Sequence, residues 1–136
     1  MDSIKIDTGV QRVCINDDPG RVIEFNPTSV DFAERFYQLI REFEQRRVEY
    51  SRRAEALGSE DIDGSLALMR EMAEYMRGQI DFLFGAGSSQ AAFGDALNLP
   101  AIGQFLDGIT PFIQMAREKK VERYTYRSKG EKRVLK

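Results

Sequence analysis

Apolar positions recur at two different periods along this chain, and the change of period marks out its elements. Residues 10 to 16, VQRVCIN, and 21 to 25, RVIEF, are short and rich in β-branched side chains, with Asp17-Asp18-Pro19-Gly20 between them as a turn. A β-hairpin is expected there, and Ile4 to Ile6 offers a third strand. Cys14 lies inside the alternating run and reads as a small buried hydrophobe. A lone hairpin is marginal in water, so it has to pack on helices.

From Phe32 the period lengthens. Phe32, Phe36, Leu39, Ile40 and Phe43 repeat at spacings of three and four, the stripe of an amphipathic helix. Thr28 or Ser29 can cap its first amides, Asp31 and Glu34 sit at the positive end of its dipole, and Gly58 suits a left-handed stop after Leu57. Beyond Phe43 only Val48, Tyr50, Ala54 and Leu57 interrupt Arg and Glu, so this end is expected to project past the core and to offer Val48 and Tyr50 to a partner. An acidic link, Ser59 to Gly64, leads into a second helix from Ser65 to about Phe84, antiparallel to the first. Leu66, Met69, Met72, Ala73, Met76, Ile80 and Leu83 repeat nearly as a heptad. Met69, Met72 and Met76 make that stripe adaptable, fit either to fill a core or to receive a partner.

The stretch from Phe82 to Met115 holds Phe82, Phe84, Phe93, Phe105 and Phe112 with five glycines, two prolines and no Lys or Arg, so most of the core is expected to collect there. Within it Gly85-Ala86-Gly87-Ser88-Ser89 has the look of a phosphate loop, but no Lys follows and a helix rather than a strand precedes it. A helix stop, then Ser88 or Ser89 capping a short helix from Gln90 to Leu97, is the plainer reading. Asn98-Leu99-Pro100 opens another helix, which buries Ile102, Phe105, Leu106, Ile109, Phe112, Ile113 and Ala116, is kinked or restarted by Pro111, and continues to about Arg123.

The fold class is therefore mainly α (α+β), an antiparallel bundle of about four helices with an N-terminal β-hairpin. A length of 136 residues suits one domain. Charge divides it: residues 1–116 carry 11 basic and 19 acidic side chains, a net of −8, and residues 117–136 carry 9 and 3, a net of +6. A helical domain over 1–116, with its hairpin at about 4–25, is thus expected to end in a basic, mobile tail over 117–136. In that tail Arg117, Lys119, Lys120, Arg123, Tyr124, Tyr126 and Arg127 are candidate partner-binding residues.

The chain has no His and no Trp, which removes the commonest general base and the commonest transition-metal ligand. No catalytic residue, cofactor or metal is expected. Glu60, Asp61 and Asp63 lack the spacing of a calcium loop and read as helix-capping acids, while Arg46-Arg47 and Arg52-Arg53 lie on a solvated face laced with Glu42, Glu49 and Glu55. The single Cys excludes an internal disulfide framework. No run approaches the roughly 18 apolar residues of a membrane span, and MDSIKIDTGV has no apolar signal core, so a cytoplasmic protein is expected.

In layout the chain resembles the tail assembly chaperones of long-tailed phages and prophages of Gram-positive bacteria. The resemblance rests on FNPTSVDFAERFYQLIREFE leading from a β segment into a long charged helix, on IDFLFGAGSSQAAFGD ending a helix, and on FLDGITPFIQMAREKK passing into a basic, Tyr-containing terminus. It implies a non-enzymatic protein of the infected cell's cytoplasm that engages the tape measure protein and helps tail tube subunits polymerise, without remaining in the virion. A structural or adaptor component of the particle is the alternative, and homo-oligomerisation stays open. Nucleic-acid binding through the tail is a third reading, against which the −8 body argues.

Overall fold

The computed structural model describes the backbone of residues 1–135 and the side chains of residues 1–119. The order of elements is β1 (Gln11–Ile15), β2 (Asp18–Phe25), α1 (Val30–Leu57), α2 (Ile62–Phe84), α3 (Ser88–Phe93) and α4 (Leu99–Leu135). The expected class holds: a mostly helical chain with an antiparallel hairpin at its N-terminal end.

The hairpin turns at a different place from the one expected. Asn16 and Asp17, at φ 53° and 59°, form the two-residue loop, and Ile15 pairs with Asp18. Asn and Asp tolerate the left-handed region, and a turn with two positive φ values matches the twist of the strands. Pro19 and Gly20 fall instead in an irregularity of β2, since the next pair is Cys14 with Val22. A proline is tolerated at such a bulge. Alternation puts Val13 and Ile15 toward the core and leaves Arg12 and Cys14 outside, so Cys14 is exposed rather than buried. Ile4 to Ile6 adds no strand. The carbonyl of Thr8 accepts from Asn26 Nδ2 at 2.6 Å, and Gly9, at φ +80°, leads the chain along the junction of β2 and α1.

Helix α1 starts where its cap dictates, with the Ser29 hydroxyl accepting from the amide of Phe32 at 3.3 Å. Helix α2 starts earlier than expected because Asp61 caps it, accepting from the amide of Gly64 at 2.8 Å. The two helices run antiparallel, as Phe36 against Phe84, Phe43 against Tyr75 and Arg53 against Glu71 show. Gly87, in the left-handed region, precedes the short α3. Asn98 caps α4, accepting from the amide of Ala101 at 3.1 Å.

Helix α4 passes Pro111 without a restart, Thr110 donating its hydroxyl to the carbonyl of Leu106 at 2.7 Å. It reaches Leu135 rather than about Arg123, and the boundary expected at 117 falls inside it. Lys, Arg and Glu, which dominate there, are good helix formers and need no buried face to favour the helical backbone.

The core centres on Phe84. Its ring meets Phe25 of β2 at 5.8 Å, Phe32 and Phe36 of α1 at 5.4 and 6.4 Å, and Phe105 of α4 at 5.3 Å. Ile23, Ile80, Ile102 and Ile113 complete the interior. Part of the Phe82–Met115 stretch departs from expectation. Phe82 lies on the opposite side of α2 from the core and is 81% exposed, and Phe112 is at the rim, its ring 5.9 Å from Phe25.

Candidate partner-binding surfaces

The side chains buried in the main core end at Phe43 on α1 and begin again at Ala73 on α2, with Met72 packed against them. Between those points the two helices have each other for company. Tyr50 and Leu68 are buried on that seam, outside the main cluster. Arg46 stacks over the Tyr75 ring at 4.3 Å, and Arg53 pairs with Glu71 at 2.8 Å. The helical pair thus forms an arm, as the thinning stripe of α1 predicts.

One face of that arm is apolar and uncovered. At 100° per residue, Ile62, Leu66, Met69, Ala73, Met76 and Ile80 lie along one line of α2. The last three are buried, whereas Ile62, Leu66 and Met69 are 67%, 58% and 52% exposed. The stripe therefore runs out of the core and continues along the arm. Leu66 is exposed for this reason.

A second apolar surface lies between β1 and α4. Val13 and Ile15 form one wall, and Phe93, Phe105, Ile109 and Phe112 the other, and no charged side chain lines it.

The residues proposed from sequence divide. Val48 is exposed at 61%, away from the α2 stripe, and Met69 belongs to the uncovered stripe. Tyr50 is buried in the α1–α2 seam. Met76 is buried in the main core and Met72 packs against it, so these two hold the fold together instead of facing a partner. Arg117 and Lys119 are exposed. The side chains of Lys120, Arg123, Tyr124, Tyr126 and Arg127 lie outside the described residues. Ile62 and the β1–α4 groove were not singled out from sequence. The repeat of α2 carried a signal for Ile62, which sits four residues before Leu66.

The polar clusters are engaged structurally. The Asp81 carboxylate accepts from the amide of Ser89 at 2.7 Å and from its hydroxyl at 2.8 Å, so an acid occupies the place a phosphate would need at the Gly85–Ser89 loop. Arg47 pairs with Glu44, and Arg53 with Glu71. The hydrogen bond and the charge of Arg47 lower the pKa of Glu44 from its ordinary value. Among the described residues no three His, Cys, Asp or Glu side chains converge on a point fit for a metal ion, and no helix is long and apolar enough to cross a membrane.

Fold and surfaces together define a small, mostly helical protein with an N-terminal hairpin and uncovered apolar faces on its helices. The chain belongs to a family of unknown function, DUF6673, which matches residues 19–136. No curated protein and no solved structure matches it.

Proposed function

We propose that this protein is a non-enzymatic assembly factor that holds a helical client on the uncovered stripe of α2. The observation that supports this most is the continuity of Ile62, Leu66 and Met69 with the buried Ala73, Met76 and Ile80. An amphipathic client helix laid along the arm would extend the same packing, with its own apolar positions at spacings of three and four. Met69 has the flexible side chain that such a surface uses to accept more than one sequence. Arg70 and Glu74 flank the stripe and offer charges of both signs at its rim.

On this reading, and on the resemblance in layout, the protein is a tail assembly chaperone of a long-tailed phage or prophage. Its client is the tape measure protein, it assists tail tube polymerisation, and it works in the cytoplasm of the host cell. The test is coexpression with a tape measure fragment, followed by analysis of purified tails. A soluble complex with the fragment, and tails free of this protein, support the proposal. Stable incorporation into finished tails would make it a structural component, and failure to bind the fragment would remove the client.

A further inference from the structure

The two strands of the hairpin are not equally protected. Strand β2 packs against α3, and Arg21 ties it there by donating to the carbonyls of Ala91 and Ala92 at 2.8 and 2.7 Å. The outer edge of β1 pairs with nothing among the described residues. Edge strands are commonly blunted by proline, bulges or inward charges, and here both Pro19 and the irregularity lie on β2. The apolar groove between β1 and α4 opens beside that edge and has no charged side chain in its walls.

The same chain holds a segment that fits such an edge. Ser3-Ile4-Lys5-Ile6-Asp7 alternates strictly, and its two isoleucines are 88% and 76% exposed. As a strand it would place Ile4 and Ile6 on one face and Ser3, Lys5 and Asp7 on the other. With the isoleucines in the groove beside Val13 and Ile15, Lys5 and Asp7 fall on the outer face, where β1 carries Arg12 and Cys14. Asp7 and Arg12 are of opposite charge. Reaching β1 of its own chain would require the segment to reverse. Instead Thr8 is held by Asn26 and Thr28, which continues the path away from the hairpin turn.

We infer that the Ser3–Asp7 segment of a second copy adds to the outer edge of β1, with Ile4 and Ile6 in the β1–α4 groove. Exchange in both directions makes a two-fold dimer, each copy donating one strand and receiving one. This inference stands apart from client binding on α2, since neither set of residues overlaps the other.

Cys14 supplies the test. The full chain carrying Lys5→Cys is mixed from ¹⁴N- and ¹⁵N-labelled preparations, oxidised mildly and digested. The expected product is a disulfide between position 5 and Cys14 whose two peptides carry different labels, in a species of twice the chain's mass. A disulfide with both peptides always from one chain, or no such disulfide, overturns the inference. In parallel, the unmodified chain is expected to dimerise across a concentration series by sedimentation, and Ile4→Asp with Ile6→Asp to stay monomeric, with a circular dichroism melt matching that of the unmodified chain at concentrations where it too is monomeric. A dimer indifferent to those substitutions, or a monomer throughout, contradicts it.

Discussion

Asp81 and Ser89 are joined twice across a helix boundary: the Ser89 amide donates to Oδ1 of Asp81 at 2.7 Å, and its hydroxyl donates to Oδ2 at 2.8 Å. Asp81 stands in the last turn of α2 and Ser89 is the second residue of α3. One carboxylate thereby satisfies an amide that α3 cannot pair internally and fixes the angle between the two helices. Ser89 is almost fully buried, so what replaces the lost partner matters.

Removing the acid strands a buried donor, and hydrogen bonds to charged groups are worth about 1.5–3 kcal/mol. Asp81→Ala is therefore predicted to lower unfolding stability by about 2 kcal/mol, and Ser89→Ala by about 1 kcal/mol, measured by urea denaturation. The double variant is expected to fall short of the sum, because both changes remove the same hydroxyl bond. Full additivity would show that the pair is not coupled.

Arg21 reaches from β2 to the end of α3 with a planar fork that lysine cannot reproduce. Its two acceptors, the carbonyls of Ala91 and Ala92, lie in the last turn of α3, where backbone oxygens lack helical partners. Arg21→Lys is predicted to cost about 1–2 kcal/mol. Hydrogen exchange localises the loss: amides of α3 and the hairpin are expected to exchange faster, while those of the α1–α2 seam are unchanged.

Glu44 and Arg47, both on the exposed side of α1, give a pH-dependent signal of known sign. The guanidinium hydrogen bond, and then its charge, lower the pKa of Glu44 in the folded chain. A lowered folded value adds stability above the unfolded pKa, and that contribution is lost as pH falls through the folded value. Both groups are solvated, so the effect on stability is small. Carboxyl chemical shifts should place the Glu44 midpoint below that of an ordinary Glu, and Arg47→Gln should move it up. Equal midpoints in the two proteins would contradict the pairing.

Much of the fold could be read in the chain because its cues are local. Phe32, Phe36 and Phe43 mark α1 by spacing, Ser29 caps it by chemistry, and Gly58 ends it by conformation. The hairpin turn was misplaced because Asp18-Pro19-Gly20 carries a stronger turn composition than Asn16-Asp17, although the left-handed tolerance of Asn and Asp prevails. Exposure along α2 was harder. Periodicity shows that Ile62 through Ile80 share a face, but how far the hairpin and α4 extend over it depends on where distant elements pack. The sequence could therefore mark Met69 and Met76 as equivalent, while tertiary contacts bury one and leave the other in water. The β1–α4 groove joins residues about 90 positions apart, which no local pattern reports.

The central claim is that the uncovered part of the α2 stripe is a working surface and not a part of the core. The direct test is the affinity of a tape measure fragment, by isothermal titration, for the unmodified chain and for a variant with Ile62→Ser, Leu66→Ser and Met69→Ser. Because these positions are exposed, the variant is predicted to unfold within about 0.5 kcal/mol of the parent at each site and yet to lose at least tenfold in affinity. Unchanged affinity in a folded variant would contradict the claim, as would a variant that no longer folds.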